Sequence, residues 1–477
     1  QAACGAWPCN CGDTVTASIT MTTNLSNCVG NGLNVVADDI TIDCDGYNLT
    51  GDGSGTDYGI NMTSRNNVTI VNCNISDFGN AVLFSNTSNS FVRNSTINSS
   101  GNQNIWMEDD SSYNTVDNNV FLVGASYTFW IDNSSYNNIT NNQMTTADPN
   151  FIYTRVGAHN NYVYNNVMVS GIITLDGAGN NTIYLNNITG NSQFGIVIGT
   201  TSSNNNITGN EIINTGSIAA IRVQSSNNTF DSNVLNNNTY NILSFMGPYV
   251  GNVFQHNIIS YGTTGIADAN GDDYSIFYNN TFVNISGNSI YVGGDNVNIT
   301  NNTFFNLSGI GISVSNGENS SISGNNISGC GTAGIKLYQP SIFSVITNNY
   351  VSGCISGELS SAIYIDGAIN TTINQNTLLN SINGIYFHDS TDQNITNNYF
   401  QNLTSYAILT YNGYADRVRI INNTFTSVNK TNIMGERWYF INNTFSNGYG
   451  GILFDNGHNS TVNGNVFNNF TISDVDG

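Results

Sequence analysis

The chain has 477 residues, 9 Lys+Arg against 31 Asp+Glu, a formal net charge of −22, and only 8% charged residues. Nucleic-acid binding needs clustered cations that release phosphate counterions, so this balance excludes it. No stretch approaches the roughly 18–20 apolar residues of a membrane helix, so no membrane span is expected in this chain.

The chain opens at Gln1-Ala-Ala-Cys4 without Met, which fits a mature end left after leader removal. Six cysteines follow early (Cys4, Cys9, Cys11, Cys28, Cys44, Cys73) and two stand far off, Cys330 and Cys354. An even number clustered at one end points to an oxidised cap and an extracellular or cell-surface location. Zinc is disfavoured because Cys9-Asn-Cys11 has one intervening residue and no second knuckle. Residues 1–38 read as a disulfide-rich cap with the first strands, and 39–477 as the repetitive body.

That body repeats apolar-x-x-Asn: Val116-Asp-Asn-Asn119, Ile139-Thr-Asn-Asn142, Val163-Tyr-Asn-Asn166, then on through Asn280, Asn302, Asn349 and Asn443 to Asn465. Spacings such as 142−119=23 and 465−443=22 set a period near 23. A second column precedes it by about nine residues: Gly195-Ile-Val-Ile198, Gly334-Ile-Lys-Leu337, Ala362-Ile-Tyr-Ile365, Gly384-Ile-Tyr-Phe387. Apolar-x-apolar is a short strand, and sustained helical periodicity is missing. Three short strands per 23 residues predict an all-β, single-stranded parallel β-helix of about 18–19 coils, with Asn stacked in a ladder. Cys330 and Cys354 each follow a ladder Asn by five (325+5, 349+5), so they should be vertical neighbours and pair; Cys44 and Cys73 occupy similar places in the first coils.

The stretches Cys11-Gly-Asp-Thr-Val-Thr and Leu33-Asn-Val-Val-Ala-Asp-Asp-Ile-Thr-Ile-Asp-Cys44-Asp-Gly resemble the opening coils of the secreted right-handed parallel β-helix superfamily, of the carbohydrate-binding or sugar-hydrolase type found on archaeal and bacterial surfaces. The resemblance covers nearly the whole chain. It implies the right-handed fold and leaves the activity open, since lyases, hydrolases, epimerases, adhesins and structural proteins share it. Polygalacturonase motifs fail here: Asp272-Asp273 and Gly334-Ile-Lys336 are present, but Gly-His-Gly is not.

Stacked turns place carboxylates one coil apart in three pairs: Asp366 with Asp389, Glu108 or Asp109 with Asp132, and Asp272 with Asp295. Such pairs could cleave a glycosidic bond, but Asp also closes strands into turns for backbone reasons, and that reading is preferred for Asp176, Asp366 and Asp389. Arg155, Arg222 and Lys336 are the candidate bases for a lyase. His159, His256, His388 and His458 show no ligand spacing and are expected to be solvated or bonded in turns. No catalytic or metal-binding residue and no cofactor is assigned, although a structural calcium is left open. The middle residues Trp106, Trp130, Tyr291, Tyr364 and Tyr386 should point outward, as an interface or a sugar-stacking strip. About thirty sequons, among them Asn67, Asn138, Asn187, Asn279, Asn301, Asn422 and Asn442, suggest N-linked glycans that crowd the Asn-ladder side. The sequence thus favours a non-enzymatic, glycosylated structural or adhesive surface protein, such as a head-to-tail filament or sheath subunit. It would associate with itself or with other surface proteins. A polysaccharide-active hydrolase or lyase is the first alternative and a carbohydrate-binding module the second.

Overall fold

The computed structural model describes residues 2–469 apart from 99–100, 123–125, 146–149, 192, 217, 245–246, 269–270 and 411–412. It divides into two units, Gln1–Val234 and Leu235–Gly477. Each is a parallel β-solenoid without a helix among its described residues, and the turns number about 19, about 23 residues apart, as the periodicity predicts.

One turn contains three strands. In the first unit Thr115–Asp117 leads to ladder Asn119, Val120–Phe121 follows it, and Tyr127–Ile131 forms the third column. In the second unit Asn298–Thr300, Thr303–Phe305 and Ile310–Val314 repeat the plan. Strands pair in register with the next turn, so Val116 lies over Ile139 and Ile139 over Val163, all buried. Each fully buried Ile, Val or Phe contributes roughly 1.5–3 kcal/mol. Phe282 and Phe304 stack at 4.9 Å and Phe425 and Phe445 at 4.5 Å, so rings pile on rings along the axis.

The repeated Asn-Asn doublets have a division of labour. The first residue is left-handed and exposed, as at Asn279 (φ 52°), Asn301 (φ 58°) and Asn422 (φ 56°). Asn enters this region more readily than other side chains that carry a Cβ. The second is buried and forms the ladder: Asn302 accepts from the Asn280 amide at 2.9 Å and donates to Phe277 O at 2.9 Å and Asn325 Oδ1 at 3.0 Å. A second ladder, Asn114–Asn137–Asn161–Asn181, runs beside it in the first unit. The Gly-Ile start of third-column strands reflects close approach: a Cβ on Gly311 would sit 2.6 Å from Gly334 O, and one on Gly334 2.7 Å from Ala362 O.

At the N-terminus Ala3–Cys4 pairs with Asp13–Val15, which pairs in turn with Leu33–Val35, all parallel. Disulfides join Cys4–Cys9 and Cys11–Cys28. The stacked pairs Cys44–Cys73 and Cys330–Cys354 are also bonded, with Cα atoms 4.7 and 4.4 Å apart.

Candidate active site on the outer face of the first unit

The third column of the first unit alternates in the way that defines a strand: Met107, Ile131 and Thr154 point inward and are buried, while their neighbours face out. Two outward rows result. The residue before each inward one gives Trp106, Trp130 and Tyr153, paired in register. The residue after gives Glu108, Asp132, Arg155 and Asp176; the Asp132, Arg155 and Asp176 amides each bond the inward residue one turn below, at 2.8–2.9 Å, which fixes their stacking.

The aromatic row forms a floor. Trp130 and Tyr153 stack at 5.1 Å with their planes 26° apart, and Tyr127 meets the Trp130 edge at 4.7 Å. Tyr58 leans on Trp106 at 6.4 Å. All five rings are half-buried, so one side remains open.

The charged row is linked to that floor. Arg155 pairs with Asp132 at 3.2 Å while its guanidinium lies 5.2 Å from the Trp130 ring centre. Tyr153 donates its hydroxyl proton to Asp176 Oδ2 at 2.7 Å; burial first, then that bond, push the phenol up to about 12. Glu108 has its carboxyl raised above the ordinary value, by burial first and by the charges of Asp109 and Asp132 after it. Asp109 itself accepts from Ser85 Oγ at 2.8 Å. A carboxyl raised above its ordinary value thus stands one turn from one that faces a guanidinium, on strands about one interstrand spacing (~4.8 Å) apart. Acid-and-nucleophile chemistry needs that arrangement.

Several expected groupings come out differently. In the second unit Tyr386 is only 2% exposed, so it is not an outward contact residue; its ring lies 4.6 Å from that of Tyr364, the planes tilted by 48°. Tyr291 stands in register with Ala267 and Ser313, away from other outward rings. Asp272 is fully buried, and it is Asp273 that accepts the Asp295 amide, at 2.8 Å, so Asp272 and Asp295 form no surface pair. Asp366 does more than close a turn: it accepts or shares a proton with His388 Nδ1 at 2.9 Å and lies 3.9 Å from Lys336 Nζ. Lys336, a candidate base, is buried between the Tyr338 and Tyr364 rings at 4.0 and 3.9 Å. Arg222 lies 5.5 Å from the Phe194 ring centre. Asn67, Asn279, Asn301, Asn422 and Asn442 are exposed, and Asn138 and Asn187 are half-buried. Sequence reasoning passed over Tyr153, although Phe-Ile-Tyr-Thr at 151–154 matches Thr-Phe-Trp-Ile at 128–131 in register; the expected Gly or Ala before the strand is missing there.

The fold and this face define a parallel β-helix carrying an outward carboxyl pair over an aromatic floor. The family model described as "Right handed beta helix region" matches residues 13–168, 217–345 and 249–394, so the chain belongs to that family. No curated protein matches the chain. Similar solved structures include a DFA-IIIase mutant from Arthrobacter chlorophenolicus A6 in complex with DFA-III (14% identity, covering 61% of this chain and 74% of that one, TM-score 0.38). A PL6 alginate lyase in complex with a trisaccharide shares 13% identity over 57% and 80% of the two chains, TM-score 0.37. The tailspike protein of E. coli bacteriophage HK620, in complex with a pentasaccharide, shares 12% identity over 61% and 67%, TM-score 0.40. The expectation of a non-enzymatic chain does not stand. The enzyme reading below is built on this chain's own carboxyl pair and aromatic floor. No helix among the described residues is long and apolar enough to cross a membrane.

Proposed function

We propose that the chain is an extracellular glycoside-cleaving enzyme acting on a polysaccharide at the outer face of its first unit. The observation that carries this reading is Glu108 one turn from Asp132 beside the aromatic floor, its carboxyl raised by burial first, then by Asp109 and Asp132. Glu108 protonates the glycosidic oxygen of the bond that breaks, and Asp132, in ion-pair contact with Arg155, attacks the anomeric carbon from the opposite face. Water then releases the sugar from Asp132, with Glu108, now ionised, taking the water's proton. A separation near one interstrand spacing suits this two-step, retaining course better than the wider gap that a single water attack needs.

Trp130 and Tyr153 offer the apolar faces on which a pyranose ring packs, and Tyr127 closes one side. A net charge of −22 repels polyuronate, so a neutral chain is the substrate class that this surface favours. Four disulfides suit an oxidising, extracellular setting, and the exposed sequon asparagines at the ladder turns are where N-glycans would stand. The test is release of reducing ends from a panel of neutral polysaccharides by the full chain and by its Glu108→Gln variant. Release that the substitution abolishes supports the reading; release that it leaves intact contradicts it.

A further inference from the structure

The third column of the second unit breaks its own rule at one place. Its inward row runs Ser244, Asp268, Val292, Val314, each in register with the next, so a carboxylate occupies an inward stack position directly below two valines. Asp268 is fully buried. Beside it lies a second buried carboxylate, Asp272, which accepts the Ser244 hydroxyl and, at 2.6 Å, the Tyr249 amide. Ser275, also fully buried, completes the group.

Two neighbouring buried carboxylates are costly unless a positive charge or a proton balances them. No Lys, Arg or His is among the groups that act on Asp268: these are Asp272, Ser275 and Ser244. The hydrogen-bond count is short as well. Neither Asp268 oxygen nor Ser275 Oγ has a hydrogen-bond partner of sound geometry. A shared proton would join Asp268 to Asp272 and still leave the other Asp268 oxygen and the Ser275 hydroxyl lone pairs unused. A cation uses them all. The donors are oxygen only, two carboxylates and two hydroxyls, which is the chemistry of calcium rather than of zinc or copper.

We propose that Asp268, Asp272, Ser244 and Ser275 bind a calcium ion inside the second unit, where it locks adjacent turns together. The site is separate from the outer face of the first unit and does not depend on the activity proposed there.

The test uses the full chain, dialysed and assayed for calcium by mass spectrometry, then melted with calcium chloride and after warming with EDTA so that a buried ion can exchange. The expected results are one tightly held calcium per chain, a lower melting temperature after chelation, and recovery on adding calcium. Asp268→Val should remove both the ion and the response; Ser275→Ala serves as a milder variant if Asp268→Val does not fold, and should weaken calcium retention. A chain that holds no calcium and melts alike in both conditions overturns the proposal in favour of a shared proton. So does an equal calcium response in the wild type and the variants, because the ion would then sit on surface carboxylates.

Discussion

The same strand column carries two charged clusters, and they are built to opposite ends. In the second unit Lys336 is buried between two tyrosine rings, faces Asp366, and Asp366 holds His388, whose Nε2 lies 3.9 Å from Asp389. Burial and the Asp366 charge push the Tyr364 phenol up, so it stays a neutral ring over the ammonium. Every charge there has a partner inside the protein. In the first unit Glu108, Asp132 and Arg155 stand on half-exposed or exposed positions beside an open aromatic floor, and the Glu108 carboxyl is raised above its ordinary value by partial burial first and by its acidic neighbours second. Mutual satisfaction stabilises a fold, whereas an unspent acid and an uncovered ring are what a substrate can use. A cavity of about 1090 Å³, lined by Leu359, Asp389, Tyr406, Leu409, Tyr414 and Met434, adjoins the second cluster, but the groups around Lys336 are directed at one another rather than into it.

The contrast can be broken most sharply by catalysis. Glu108→Gln should lower kcat about 10²–10⁴-fold with KM little changed, the usual weight of a general acid, while His388→Ala should leave turnover intact; steady-state kinetics on whichever neutral polysaccharide is cleaved decides. Stability should invert the ranking. Lys336→Met, which strips Asp366 of its cation, should cost about 1–3 kcal/mol in urea unfolding and leave turnover unchanged, and Glu108→Gln should cost little. Removing one ring of the floor with Trp130→Ala should weaken substrate binding by about 0.5–1.5 kcal/mol, read as a several-fold rise in KM.

The smallest effect is on pH dependence. Glu108 must carry its proton to act, and its value in the folded chain is raised. Activity should therefore persist above the ordinary Glu range and fall as pH rises through the raised value. The same sign governs stability: the contribution of protonated Glu108 is complete at low pH and is lost as pH climbs through its folded value. Asp109→Asn, which removes one of the two charges that raise it, should move the alkaline limb to lower pH only in part, because burial is the larger cause and remains.

The fold was legible because stacking writes itself into the sequence. An apolar residue three positions before Asn, repeated near every 23, forces a parallel solenoid, and the equal offsets of Cys330 and Cys354 from their ladder asparagines fix the register. The site was legible only in pieces. Trp106, Trp130 and the Glu108–Asp132 pairing follow from strand alternation, but whether an outward residue is open or covered depends on the neighbouring turns. Tyr386, outward by alternation, is buried by Tyr364 and its surroundings. His388 reads as an isolated histidine because its partner Asp366 is 22 residues away and meets it only across one turn. Asp268 escaped notice for the same reason: within Ile266-Ala-Asp268 nothing marks the Asp as inward until Val292 is placed above it.

The proposed substrate site is the outer face of the first unit. A crystal structure of the Glu108→Gln variant soaked with an uncut oligosaccharide tests it most directly. A sugar ring packed on Trp130 and Tyr153, with a glycosidic oxygen at the residue 108 side chain, is the predicted result. Sugar bound only in the cavity beside Asp389 and Tyr414, with the Trp130 face bare, would contradict it.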